Sequence, residues 1–200
     1  GSGVRDTLTG GQLGQQMQLP VIPLGDWVIQ SGVNAILTAK HDGTPHYLFG
    51  DLDLRTGSSL TLKNTVLNLS SGHEVDIESG ANFYGESGVI RADLVAIQGN
   101  AGLFGAGEEG LVLDAAVSWS CTSTREISNI RMTSTLSLPP MCNVKLTNGS
   151  VEGMITVGTQ GSFELLTTFN AKAIDKGEPI VGADIILSLI HISEPTRHHV

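Results

Sequence analysis

The sequence predicts an all-β chain, most of it a solenoid of parallel strands, a parallel (right-handed) β-helix. Three observations predict this. The composition is aliphatic and Gly-rich, with 40% hydrophobic residues, 25 glycines and only 4% aromatics, which suits strands and tight turns. Short apolar alternations of period two, separated by Gly, Ser and Asn, begin near residue 33. Finally, one heptad recurs: "LDLRTGS" (52–58), "VDIESGA" (75–81) and "VKLTNGS" (144–150) all read apolar-x-apolar-x-x-Gly-small.

Residues 1–24 are rich in Gly, Gln and Pro and lack apolar periodicity, so they read as a linker. "GDWVIQSG" (25–32) follows, with Trp27 beside β-branched Val28 and Ile29, a first strand at the end of a core. The solenoid is expected over 25–165.

The step from Leu52 to Val75 is taken as one repeat, and the step from Val75 to Val144 is three times as long. A repeat this short cannot bury its own apolar edge, but stacked copies can. Each coil is then three short strands and three bends. This register puts Leu52, Val75 and Val144 in one inward ladder and Leu54, Ile77 and Leu146 in another. Gly57, Gly80 and Gly149 would take the positive φ of a sharp corner. Arg55 falls over Glu78, and Asp53 over Asp76, two like charges about one strand spacing apart (~4.8 Å). A fourth copy, "ITVGTQGS" (155–162), is out of register, and "QGNAGLF" (98–104) and "CTSTREI" (121–127) break the pattern. "SLPPMC" (137–142) is expected as a loop, because Pro139-Pro140 cannot sit inside a ladder.

"FNAKAIDKGEPIVGADIIL" (169–187) alternates, turns at "DKGEP" and alternates again, a strand–turn–strand that starts a sandwich rather than another coil. The first strands of that module are set at 166–187.

Two stretches resemble known families. Gly25, Asp26, Trp27 and Ile29, with "LDLRTGSSLTLKNTVLNL" (52–69) and "VDIESGANFYG" (75–85), are similar to β-helical segments of archaeal and bacterial surface proteins. Ile174, Asp175, Gly177, Pro179, Ile180, Val181, Gly182, Ala183, Ile185 and Leu187 resemble the opening of an immunoglobulin-like surface repeat. These resemblances imply an extracellular or cell-surface, modular, non-enzymatic protein whose role is structural or adhesive, with glycans or other surface proteins as partners. A third stretch, "LSLIHISEPTR" (187–197), resembles the translation of a sequencing-library adaptor. It implies a non-native tail over 188–200, a truncated immunoglobulin-like module and a chain that is a gene fragment. His191, His198 and His199 then carry no metal expectation.

The charge excludes some functions. The net charge is −9, with 11 Lys and Arg that never cluster, so nucleic acid is not an expected partner. No apolar run reaches membrane-spanning length. Cys121 and Cys142 lack zinc spacing and are either two buried thiols or one disulfide, the latter requiring an oxidising compartment. Asn68-Leu-Ser70 and Asn148-Gly-Ser150 fit the glycosylation sequon.

The alternative function is a polysaccharide-degrading β-helix, a lyase or glycosidase of the phage-tailspike kind. Glycoside hydrolysis needs two carboxyl groups roughly 5–9.5 Å apart. Asp51, Asp53, Glu74, Asp76 and Glu78, with Arg55, are the candidates, set against their reading as a solvated outer face. His41, His46 and His73 lack the spacing of a zinc site, and "KHDGTPH" (40–46) reads as a turn. "GNAGLFGAGEEG" (99–110) lacks the Lys-Ser/Thr of a phosphate loop and reads as a flexible loop or a coil distortion. Within it, "GEEG" is a candidate calcium ligand pair. No catalytic, cofactor-binding or metal residue is assigned.

Overall fold

The computed structural model describes residues 21–166, together with the backbone of 174–175 and 178–179. The strands of the first stretch, in order, are Trp27–Ile29 (β1), Asn34–Thr38 (β2), His46–Leu48 (β3), Leu52–Leu54 (β4), Ser59–Lys63 (β5), Val66–Leu69 (β6), Glu74–Ile77 (β7), Asn82–Gln98 (β8), Gly102–Ser120 (β9), Thr124–Ser128 (β10), Ile130–Met132 (β11), Leu136–Leu138 (β12), Asn143–Thr147 (β13), Ser150–Val151 (β14), Ile155–Val157 (β15) and Ser162–Leu166 (β16). All pairings among them are parallel, and they wind a solenoid of about seven turns with three faces.

The first face stacks β1, β4, β7, the ends of β8 and β9, β12 and β15. The second stacks β2, β5 and the starts of β8 and β9, then a separate sheet of β10, β13 and β16. The third stacks β3, β6, the middles of β8 and β9, β11 and β14. β8 and β9 are long because each runs round two corners, with the ladder between them shifting register at both corners, between Glu86 and Gly88 and between Arg91 and Leu94.

Inward residues alternate with outward ones, and the inward columns are the core. On the first face Leu52 and Leu54 sit against Val75 and Ile77, then Val95 and Ile97, then Val117 and Trp119, all buried. Stacking supplies what one coil lacks: each apolar pair is covered above and below by the next. Burying one such side chain contributes about 1.5–3 kcal/mol.

The repeat is not constant. On the first face Trp27 partners Leu52, Leu52 partners Val75, Val75 partners Val95, Val95 partners Val117, Val117 partners Leu136 and Leu136 partners Ile155. The expected step appears there only between Leu52 and Val75. The coils shorten towards the C-terminal end, where the first face steps from Leu136 to Ile155 and the second from Asn143 to Ser162, equal and shorter. The third heptad is consequently misassigned by its spacing. Val144 and Leu146 lie on the second face, pairing with Arg125 and Ile127 on one side and Phe163 and Leu165 on the other. The out-of-register copy is the one on the first face, at Ile155 and Val157. "QGNAGLF" breaks the pattern because the coil before it is shorter, which moves its strand back to 94–97.

The corners after the first face are tight turns, closed by Val33 N–H to Gln30 O, Ser58 N–H to Arg55 O and Ala81 N–H to Glu78 O. Gly32, Gly57 and Gly80 supply the positive φ at the third position. Met141 and Gln160 occupy that position in the last two described coils. Gly149 does not: its neighbour Asn148 takes the positive φ, at the next corner. Gly149 is required for space instead, since a Cβ there would meet Ile130 O at 2.2 Å. Pro139 and Pro140 lie in the turn after β12, as expected, but Ser137 and Leu138 of the loop expected over 137–142 belong to β12 and pair with Thr156 and Val157.

Cys121 and Cys142 form a disulfide with Cα atoms 4.8 Å apart. They occupy corners of successive coils, so the bond clamps one turn to the next.

Residues 21–24 carry no strand, and Val21 and Leu24 are exposed. Ile174–Asp175 (β17) and Glu178–Pro179 (β18) pair antiparallel, which places a reversal within "DKGEP". The remainder of the linker, of the immunoglobulin-like stretch and of the adaptor-like tail lies outside the described residues.

Candidate functional site

The outer surface of the first face carries the acidic residues singled out from the sequence. Asp53 and Asp76 are Cα partners on successive coils, and each is engaged. Arg55 reaches both ways, with Nη2 3.1 Å from Asp53 Oδ2 and Nη1 2.6 Å from Glu78 Oε1. Glu78 also accepts the backbone N–H of Thr56 at 2.8 Å. Asp76 accepts from Gln98 Nε2 at 2.8 Å.

The two carboxyls that Arg55 joins are shifted in opposite directions. Glu78 is held below its ordinary value, mainly by the Arg55 and Thr56 hydrogen bonds. Burial pushes Asp53 up; Arg55 opposes this, and Asp76 adds to it. A carboxyl raised by burial beside a second carboxylate is the one feature here that suits acid catalysis.

The preceding corner holds a second acidic column. Asp51 N–H donates to Asp26 Oδ1 at 3.0 Å, and Glu74 N–H donates to Asp51 Oδ1 at 3.0 Å. His73 Nδ1 is 2.9 Å from the same Asp51 oxygen. Gly72 N–H donates to Asp93 at 2.8 Å. Asp26, Asp51 and His73 offer ligand atoms within 4.8 Å of one another. Their oxygens, however, already serve backbone donors that the turning chain would leave unsatisfied, which holds the Asp51 carboxyl low. Asp26 was not among the sequence candidates, because the coil joining it to Asp51 is longer than the repeat taken from Leu52 to Val75. Glu74 contributes its backbone here and is otherwise exposed.

The other histidines do not join this group. His46 Nε2 lies 2.8 Å from Thr38 O, across the 39–45 turn. That turn is set by Asp42, which accepts from Thr44 N–H at 2.9 Å, and by Gly43 with positive φ; His41 is exposed on it.

"GEEG" is a coil distortion. Ser87 alone separates Glu86 from Gly88, whereas Gly107–Gly110 separate Ala106 from Leu111 in the neighbouring coil. The bulge overhangs a cleft of about 350 Å³ lined by Glu108, Glu109, Asn129, Arg131 and Ser150. Arg131, bound to Glu152 at 2.6 Å, brings a fixed positive charge to this acidic edge.

Most of the described aromatic residues fall into two groups. Trp27, Trp119 and Phe83 are buried, while Tyr47, Phe49, Tyr84 and Phe104 are exposed. Tyr84 and Phe104 stack at 4.8 Å with 15° between their planes. They border a second cleft, of about 390 Å³, on the second face. Sequence reading missed this pair because the coil joining them is shorter than the one joining Leu52 to Val75. Of the two sequons, Asn148 is at an exposed corner, and Asn68 lies within β6 with its Oδ1 buried.

No known protein family, curated protein or solved structure matches the chain.

Proposed function

We propose that this chain is a non-enzymatic structural or adhesive segment of a secreted or cell-surface repeat protein. In this reading a stiff right-handed β-helix is followed by an immunoglobulin-like module whose first strands span 166–187, around the 174–179 reversal. The observation that carries the reading is the engagement of the outer carboxylates. Asp53 and Glu78 share Arg55, Asp76 holds Gln98, and Asp26 and Asp51 cap backbone N–H groups of the next coil. Acids used to join coils are not free to protonate a leaving group or activate water. The Cys121–Cys142 bond supports an oxidising, extracellular setting.

A second reading, a polysaccharide-degrading β-helix, is favoured by one observation, the raised Asp53 carboxyl next to Asp76. Incubation with neutral and acidic polysaccharides, followed by assay of new reducing or unsaturated ends, separates the two. The structural reading predicts no new ends. Ends that appear with the native chain and vanish with Asp53→Ala plus Asp76→Ala would establish the enzyme.

A further inference from the structure

We infer that the second face carries a binding slot for neutral pyranose oligosaccharides, built on the ring of Tyr84. The inference rests on the adhesive reading above and gives it a ligand class.

Four outward residues line up across successive coils: Ile36 partners Thr61, Thr61 partners Tyr84, and Tyr84 partners Phe104. Phe104 stacks on Tyr84 at 4.8 Å and covers one side of it. The next coil on the other side presents only the short Thr61, with Ile36 beyond it. The result is a notch between Ile36 and Tyr84 within the cleft of about 390 Å³, a size suited to a small ligand. Both rings remain open to solvent, Tyr84 at 37% and Phe104 at 44%.

The slot is rigid. Its residues stand on ladder-paired strands, and Gly102 leaves room for the Phe104 ring, since a Cβ there would lie 2.5 Å from Phe104 Cε2. A preorganised aromatic surface loses little entropy on binding.

The polar border selects the ligand. Lys63 and Glu86 flank the notch and pair at 3.0 Å. Together they offer donors and acceptors side by side, the complement of adjacent hydroxyls. Because Glu86 balances Lys63, the border holds no surplus positive charge for a carboxylate or sulfate, and a net charge of −9 repels polyanions. A pyranose has what the slot lacks: an apolar C–H face for the Tyr84 ring and a rim of hydroxyls for Lys63, Glu86 and Thr61.

The test is calorimetric titration of the full chain with neutral hexasaccharides of gluco, galacto and manno configuration, and with oligogalacturonate as the charged contrast. At least one neutral hexasaccharide is expected to bind. Tyr84→Ala should weaken it by about tenfold or more. Thr61→Tyr, which fills the notch without removing a ring, should do the same with an unchanged circular dichroism spectrum. Ser137→Ala, on the first face, should leave it unchanged. The inference is overturned if no neutral hexasaccharide binds, if both slot variants bind normally, or if oligogalacturonate binds more tightly. Lack of binding without cleavage removes the slot and leaves the adhesive reading standing. Cleavage of the sugar during titration removes the adhesive reading itself.

Discussion

Arg55 of one coil donates from Nη1 to Oε1 of Glu78 in the next at 2.6 Å, and its Nη2 lies 3.1 Å from Asp53 of its own coil. One guanidinium thus faces two carboxylates with opposite titration behaviour. Glu78 is held low by the hydrogen bonds from Arg55 and Thr56, so its contribution to stability is present above its unfolded value and is lost as pH falls through its folded one. Asp53 is raised, chiefly by burial, so its contribution is present below its unfolded value and is lost as pH rises through its folded one. Glu78→Gln should therefore lower the melting temperature at pH 7 and leave it nearly unchanged in acid. Asp53→Asn should raise it slightly at pH 7. Thermal melts between pH 3 and pH 7 check both signs; equal losses for the two variants at pH 7 would contradict the assignment.

Removing side chains from the inward columns should be costly. Ile77 is fully buried between Leu54 and Ile97. Ile77→Ala should destabilise by about 2–5 kcal/mol in urea titration. Thr156→Ala, which also trims a β-branched strand residue but an exposed one, should cost less than about 0.5 kcal/mol.

Two glycines separate space from conformation. At Gly105 a Cβ would lie 1.8 Å from Asn129 O, in the backbone of the next coil. Gly105→Ala should force the coils apart and destabilise by more than about 3 kcal/mol. Gly43 has a positive φ but nothing near its absent Cβ. Gly43→Ala should cost only the left-handed penalty, about 1–2 kcal/mol. Denaturation of the two variants side by side reads the difference.

The disulfide closes a loop with a sequence separation of 21. Its removal in Cys121→Ser plus Cys142→Ser should lower stability by about 3 kcal/mol, chiefly by freeing the unfolded chain. Equilibrium unfolding of the oxidised protein and the double variant measures it.

The parallel coil was legible because its signal is local. The apolar pair, the glycine corner and the pairing of Asp53 with Asp76 all follow from two adjacent heptads, those that start at Leu52 and Val75. What failed was extrapolation. Stacking fixes which residues point inward, but it does not fix how many residues a corner uses. Corners near "KHDGTP" and "GEEG" are long, while the third-face strand β14 shrinks to Ser150–Val151 against Val66–Leu69 in β6. A few residues gained or lost at corners carried the third heptad from the first face to the second. Residue contacts that cross such irregular coils, such as Tyr84 with Phe104 or Asp51 with Asp26, were invisible for the same reason. The disulfide fell between: the spacing permitted it, and only the corner positions of Cys121 and Cys142 decided it.

The central claim is a stack of parallel coils whose length varies, and paired cysteines test it directly. Lys145 and Glu164 are outward Cα partners on the second face, one short C-terminal step apart. Lys145→Cys plus Glu164→Cys should cross-link under mild oxidation, with the linked peptides identified by mass spectrometry. Lys145→Cys plus Thr122→Cys, separated by the longer step that joins Leu52 to Val75, should not. Cross-linking of the second pair and not the first would restore a constant repeat of that longer step and contradict the fold described here.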